Sequence, residues 1–170
     1  MSIYRADCGR CCGLCCVVPD QLAVQGFRAD KPADTPCVHL DDCNRCSIHA
    51  ARRDRGFPGC EVFDCFGAGQ WVTERLFGGA SWTDSPDTAR RMFAAYRYWV
   101  PRFEVAALIE AALPYVRDEA RCSLSAMMAE LTSGETTDRS DVGDAQRLRR
   151  EALAAIRSAL PSNMQRQDWR

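Results

Sequence analysis

The cysteines are the residues of this chain whose types and spacing most directly indicate chemistry. Residues 8–16 are CGRCCGLCC, with five cysteines in nine positions, and ten of the 11 cysteines lie between Cys8 and Cys65. A gap of two residues lets two thiolates of one turn face a single metal, which is why this gap recurs in zinc and iron–sulfur sites. It occurs here at positions 8/11, 12/15 and 43/46. The spacing therefore predicts a metal-binding module with thiolate ligands.

All ten clustered cysteines are candidate ligands, and ten sulfurs suffice for two four-thiolate sites with two left over. Neighbouring side chains point in different directions, so we do not expect Cys11 and Cys12, or Cys15 and Cys16, to share one mononuclear ion. We expect Cys8, Cys11 and Cys15 on one centre, with further ligands of that centre or of a second one drawn from the remaining cysteines. The full pool is Cys8, Cys11, Cys12, Cys15, Cys16, Cys37, Cys43, Cys46, Cys60 and Cys65.

The chain has two histidines, and both lie among these cysteines. His49 follows Cys46 by three residues, a spacing that allows a mixed site, and is an additional candidate ligand. His39 is a weaker candidate, because histidines of small domains are more often packed or exposed. Cys122 lies outside the cluster, in a helical pattern, and we expect it to be a buried apolar residue.

Disulfides and unligated thiols are the alternatives to metal binding. The N-terminal sequence MSIYRADCGR lacks the apolar run of a secretory signal, and no stretch approaches the length of a membrane span. We therefore expect a cytoplasmic protein without a membrane partner, in a compartment where structural disulfides are rare. The net charge of −1 gives no basic excess to hold a phosphate backbone, so we expect no nucleic-acid partner.

Composition divides the chain near residue 69. Prolines and glycines recur through residues 1–69 too often for long regular elements, so we expect a loop-rich, metal-ordered module there, with short helices at 20–27 and 47–53. Residues 70–170 have a helical pattern, and we expect them to pack on the first module as one compact unit. The predicted fold is mainly α, a loop-rich cysteine-ligated module followed by a small bundle of about four helices.

The helical region has clear start and stop signals. A short helix is predicted at 70–77, and a longer one begins at Ser85-Pro86-Asp87, where Ser85 can cap the first turn. Pro101 either kinks this helix or starts the next. Further helices are predicted at 115–131 and 144–160, separated by a polar loop at 132–142, and the aromatic stripe over residues 92–99 is predicted to be core.

Residues 8–65 resemble the CxxCxxCC family, a zinc- or iron-chelating domain that includes the YkgJ-type cysteine cluster proteins. The matching stretches are CGRCCGLCC, then CVHLDDCNRCSIHAARR at 37–53, then GCEVFDC at 59–65. His49 stands where the family usually has Tyr, and the first cluster has an extra cysteine. The resemblance implies metal or iron–sulfur binding and little about activity. A similar domain occurs in flagellin lysine N-methylases, but this chain shows no methyl-donor motif.

The function predicted from the motifs and the resemblance together is metal binding. The cofactor is an iron–sulfur cluster, foremost [4Fe–4S], with zinc as the alternative, in a binding, structural or electron-transfer role. A redox or modifying enzyme that uses the cluster is a second hypothesis. A storage or delivery protein with labile thiolate sites for Cu(I) or Zn is a third. Whether the chain catalyses a reaction is left open by the sequence.

Overall fold

The protein is described from a computed structural model that covers residues 2–134 and 143–161. Within these residues the structure is mainly helical and contains no β-strand, which confirms the mainly α fold class. Two isolated antiparallel bridges, Gln21 with Lys31 and Leu40 with Cys46, hold the loops of the first part together.

Residues 2–76 consist of loops and very short helices. The three short α-helices are α1 (Leu14–Val17), α2 (Pro58–Val62) and α3 (Ala68–Gln70), and α3 continues directly into a π-helical turn, Trp71–Leu76. Single 3₁₀ turns lie at Cys8–Arg10, Ala23–Gln25 and His49–Ala51, and the last two fall where short helices were predicted.

The described residues after position 76 contain three longer helices, α4 (Pro86–Ala112), α5 (Asp118–Leu131) and α6 (Gly143–Ala159), with a 3₁₀ turn at Leu113–Tyr115. The predicted start of α4 is confirmed, because the Ser85 side chain accepts a hydrogen bond of 3.0 Å from the Thr88 N–H. Pro101 lies inside α4 and does not start a new helix. The predicted loop at 132–142 lies outside the described residues beyond residue 134, as does the tail from residue 162.

Helix α4 contributes residues to two hydrophobic clusters. Its N-terminal half packs with α1, α3 and the π-helical turn, and its C-terminal half packs with α5 and α6. The first cluster includes Leu14, Val17, Val18, Ala68, Val72, Met92, Trp99 and Phe103, all buried. The loops that carry the cysteines are thereby held against the first half of α4. Segments on both sides of residue 69 contribute to this cluster, and the domain boundary at that residue stays a prediction.

None of the helices in the described part of the chain has the length and apolar character needed to cross a membrane.

Candidate metal centre

Seven of the ten clustered cysteines line a single cavity of about 880 Å³. Its walls come from the Cys8–Arg10 turn, α1, the loop around residue 46, α2 and the segment before α3, and the side of α4 closes it with Tyr96. The seven are Cys8, Cys11, Cys15, Cys16, Cys46, Cys60 and Cys65. None of the 11 cysteines, all within the described residues, forms a disulfide.

The two adjacent pairs are arranged differently. Cys11 lines the cavity, whereas Cys12 is 8% exposed and lies in the core, with its Sγ 3.4 Å from the Thr73 Oγ1 and 3.4 Å from the Met92 Sδ. Cys15 and Cys16, in contrast, both line the cavity, and their side chains hydrogen-bond each other. The first pair is therefore divided between the cavity and the core, whereas both members of the second pair line the cavity. The expectation that the members of a pair do not share one mononuclear ion stays a prediction.

Gly13 makes the turn between the two pairs. Its φ of +74° is in the left-handed region, and an added Cβ would lie 2.8 Å from the Leu40 Cδ1 and 2.9 Å from the Asn44 carbonyl oxygen. A glycine at this position therefore lets the loop that carries Cys46 approach the first cysteine cluster closely.

Cys37 and Cys43, the remaining candidate ligands, do not line the cavity. Cys37 is 9% exposed, its N–H donates to the Cys16 carbonyl at 2.9 Å, and its charge acts on Cys46 and Cys60. Cys43 is exposed and does not line the cavity.

The structure also places the two histidines and Cys122, the one cysteine outside the cluster. His49 lines the cavity, while His39 packs edge-on against Phe57 with ring centroids 5.0 Å apart. Cys122 is exposed on α5, so its predicted burial is wrong. It stands on the side of the helix that is left open to solvent, where the apolar pattern of α5 does not reach.

The protein environment keeps most of the cavity thiols protonated when no metal is bound. Burial raises the pKa of Cys11 to about 12 and that of Cys60 to about 11. A hydrogen bond with the Cys16 thiol, and then burial, raise the pKa of Cys15 well above 9.0. Burial also raises the pKa of Cys8, Cys46 and Cys65. A metal that binds here must therefore displace protons.

Backbone and side-chain donors oppose these increases and favour the thiolates. The Leu14 N–H donates to Cys11, and the Ile48 N–H donates to Cys46. Cys65 receives two such bonds, from the N–H groups of residues 67 and 69. The Arg52 guanidinium lowers the pKa of Cys8, Cys15, Cys46 and Cys60, and it donates to the Cys60 carbonyl at 3.1 Å. Hydrogen bonds to sulfur of this kind stabilise and tune metal-bound thiolates.

Two clamps that the sequence did not reveal hold the loops that carry these cysteines. Arg45 donates to three carbonyl oxygens of the first cluster, those of Cys8, Gly9 and Cys11. The Lys31 Nζ lies 2.7–3.1 Å from four carbonyl oxygens, those of Val17, Pro19, Pro32 and Thr35, which share its three N–H donors. The one feature of the sequence that could have drawn attention to Lys31 is that it is the single lysine among 22 basic residues. A compact ammonium group fits between four carbonyls better than a planar guanidinium does.

The sequence also did not indicate the positions of Tyr96 and Gly69 at the cavity. Tyr96 belongs to the aromatic stripe predicted to be core; its ring is in the first hydrophobic cluster, but the residue also lines the cavity. An added Cβ on Gly69 would lie 2.8 Å from the Cys11 Sγ and 3.5 Å from the Cys65 Sγ. Neither role leaves a local sequence pattern, because each depends on a contact between segments far apart in the chain.

The donor set fits a metal centre in its chemistry, although the thiols do not converge on one point. In residues 2–134 and 143–161 no three His, Cys, Asp or Glu side chains stand close enough to hold one metal ion. All seven cysteines on the cavity wall carry sulfur donors, which suit zinc, Cu(I) and iron–sulfur clusters. The buried Tyr96 hydroxyl has no hydrogen-bond partner in the described part of the chain, and Tyr96 lines the same cavity as these cysteines.

The chain is similar in sequence to two bacterial proteins. It is 44% identical over 91 residues to the uncharacterized protein YybG of Bacillus subtilis (strain 168), covering 54% of this chain and 33% of that protein. It is 42% identical over 43 residues to the UPF0153 protein YeiW of Escherichia coli (strain K12), covering 25% of this chain and 51% of that protein. The chain thus spans between a third and about half of the length of these relatives. No protein-family model matches it, and no solved structure does.

Proposed function

We propose that this protein binds a metal centre through the cysteine thiolates of the cavity between the N-terminal loops and α4. The observation that carries the proposal is that seven cysteines line one cavity and that three of them, Cys11, Cys46 and Cys65, accept backbone N–H groups. These donors oppose the effect of burial on the thiol pKa, and they would hydrogen-bond the thiolates, which are the form that binds metals.

The proposed ligands form two groups of four. The first group consists of Cys8, Cys11, Cys15 and Cys65, because ionised Cys15 and Cys65 would each raise the pKa of Cys8 and Cys11. Ionised Cys15 would also raise the pKa of Cys46 and Cys60, so Cys15 acts on members of both groups. The second group consists of Cys16, Cys37, Cys46 and Cys60. Its support is that the charge of Cys37 acts on Cys46 and Cys60, while Cys16 and Cys37 both act on Lys31.

Each group has the four thiolates that one [4Fe–4S] cluster or one tetrahedral zinc requires. Cys12 is left out of the assignment because its sulfur packs in the core against Thr73 and Met92, and Cys43 is left out because it is exposed away from the cavity. Cys37 does not line the cavity either, and it is included because its backbone N–H donates to the Cys16 carbonyl. His49 remains an alternative ligand at the cavity wall.

An iron–sulfur cluster of the [4Fe–4S] type is the first candidate and zinc is the alternative. A mononuclear zinc needs four sulfurs at about 2.3 Å from one point, whereas a cluster accepts sulfurs spread around a larger body. The cavity of about 880 Å³, with thiols around it that do not converge, therefore favours the cluster. When bound, such a group would supply one-electron redox chemistry or a structural cross-link between the loops.

Metal analysis after purification without oxygen tests the proposal. We expect stoichiometric iron and acid-labile sulfide with broad visible absorbance, or, for the alternative, a colourless protein with stoichiometric zinc. A preparation that contains neither, and that takes up neither on reconstitution, would overturn the proposal.

Single Cys→Ser variants test the ligand assignment. We expect Cys65→Ser to lose the centre of the first group and Cys60→Ser to lose that of the second. Cys43→Ser and Cys122→Ser are the matched controls, because both change an exposed cysteine outside the cavity, and both should keep the wild-type metal content. Equal losses in a control and in Cys65→Ser would contradict the assignment.

The structural and electron-transfer roles are separated by two measurements on the loaded protein. A structural centre should make residues 1–69 sensitive to protease when a chelator removes the metal, because metal-binding energy is also folding energy in such modules. An electron-transfer centre should in addition show a reversible reduction with no change in ligand number. A redox-silent zinc protein would exclude the second role.

A further inference from the structure

Tyr96 is a buried side chain with an unused hydrogen-bond donor. It lies on α4, is 3% exposed, and its ring packs in the first hydrophobic cluster. No atom in residues 2–134 and 143–161 hydrogen-bonds to its Oη, although that oxygen is fully removed from solvent. A buried hydroxyl without a partner is unfavourable, and buried polar groups of native proteins nearly always have one. A partner for this hydroxyl is therefore expected from outside the described chain.

The surroundings of the hydroxyl indicate what that partner is. Tyr96 lines the cavity together with Cys11, Cys15, Cys16 and Cys65. Burial, and then those thiols, raise the pKa of Tyr96 well above 10.0. A phenol is protonated at neutral pH in any case, so the Tyr96 hydroxyl can donate to sulfur atoms of the cavity, which are acceptors once they bind a metal.

We infer that the Tyr96 hydroxyl donates a hydrogen bond to a sulfur atom of the metal centre held by Cys11, Cys15 and Cys65. This inference rests on the function proposed above and adds a residue from the helical region to the site. The sulfur that accepts the bond is either a cysteine thiolate or, in a cluster, a bridging sulfide. The bond satisfies a donor that is unsatisfied in the metal-free protein, so it stabilises the loaded state relative to the metal-free state.

The two states should respond in opposite ways to loss of the hydroxyl. In the metal-free protein Tyr96→Phe removes an unpaired polar atom and keeps the ring that packs in the core, so stability should be unchanged or raised. In the loaded protein the same change removes a hydrogen bond to the centre. Loss of outer hydrogen bonds of this kind typically lowers metal affinity by about 10- to 100-fold.

Competition for Zn²⁺ against a chromophoric chelator, together with thermal unfolding of the metal-free chain, tests the inference. We expect Tyr96→Phe to bind Zn²⁺ about 10- to 100-fold more weakly than wild type, with a metal-free melting temperature equal to or above the wild-type value. Tyr98→Phe is the matched control: it removes the same atom from the same helix, in a side chain that does not line the cavity. This control should bind Zn²⁺ as the wild type does.

Two results would overturn the inference. Wild-type affinity in Tyr96→Phe would show that the hydroxyl does not reach the centre. A metal-free Tyr96→Phe protein that unfolds at a lower temperature would show that the hydroxyl has a structural partner. If the wild-type chain itself binds neither Zn²⁺ nor iron, the proposed function fails and the inference fails with it.

Discussion

Gly69→Ala should separate metal binding from folding, because its effect depends on whether Cys11 is free to move. Gly69 lies inside α3, and an alanine Cβ at this position would be 2.8 Å from the Cys11 Sγ. Apolar contacts of this kind are normally about 3.5–4.0 Å, so the sulfur must move by about 1 Å. The Cys65 Sγ, at 3.5 Å from the same Cβ, is already at an ordinary contact distance.

In the metal-free protein the displacement is inexpensive. Turning the short Cys11 side chain away from its rotamer costs roughly 0.5–1.5 kcal/mol. The replacement of glycine by alanine in a helix gains about 1 kcal/mol, which offsets that cost. We therefore expect the free energy of unfolding of the metal-free protein, measured by urea titration, to change by less than about 1 kcal/mol.

In a loaded protein Cys11, as a proposed ligand, would be held by its bond to the metal, so the contact could not be relieved in this way. Overpacking of a fixed site costs roughly 1–3 kcal/mol, which is about a 5- to 150-fold loss of metal affinity at 1.4 kcal/mol per tenfold. Chelator competition on the reconstituted protein measures this loss. Wild-type affinity in Gly69→Ala would refute the placement of the centre between Cys11 and Cys65.

Gly78→Ala is the control for this experiment. An added Cβ at Gly78 meets nothing within 4 Å, but the residue has a φ of +61°. Alanine there should cost roughly 1–2 kcal/mol of stability through backbone strain and leave the metal affinity unchanged. The two glycine variants are thus expected to show opposite patterns, one in affinity and the other in stability.

Further predictions concern the thiols and the lysine clamp. Burial raises the pKa of Cys11 and Cys60 in the folded state from 9.0 to about 12 and about 11. The stability that these groups contribute to the metal-free protein should therefore be fully present below pH 9.0 and be lost as the pH rises through the folded pKa values. Denaturant unfolding at several pH values measures this loss. A loaded protein should instead lose its metal as the pH falls, since protons compete for the thiolates, and metal release to a chelator measures this. Lys31→Met should lower the free energy of unfolding by about 1–3 kcal/mol in urea titration, because four carbonyl oxygens lose a charged donor. An unchanged midpoint in Lys31→Met would mean that water replaces the ammonium group at no cost.

Much of the helical part could be predicted from the sequence because its signals are local. Ser85 and Pro86 mark the start of α4 through capping and a fixed φ, and both act within one turn. Pro101 left two possibilities open, because a proline can kink a helix or start one, and packing on both halves of α4 decides between them. The predicted burial of Cys122 is wrong for a similar reason, because a helical pattern does not indicate which face of the helix is covered by the rest of the protein.

The sequence indicated that cysteines form the candidate site but not how they are arranged. Cysteine spacing indicated thiolate ligation, yet it could not show that Cys12 packs against Met92 while Cys11 lines the cavity. That choice depends on residues 61 to 80 positions further along the chain. The same holds for Tyr96, whose helical spacing correctly placed the ring in the core but carried no information about the hydroxyl.

X-ray absorption at the edge of the bound metal tests the central claim most directly, because it counts the ligands and measures their distances. We expect an all-sulfur shell, with four sulfurs at about 2.3 Å if the metal is zinc, or a shell of thiolates and sulfides if it is iron in a cluster. The shell should change in Cys65→Ser and stay the same in Cys122→Ser. A shell of nitrogen and oxygen atoms at about 2.0–2.2 Å would contradict binding by the cavity thiolates.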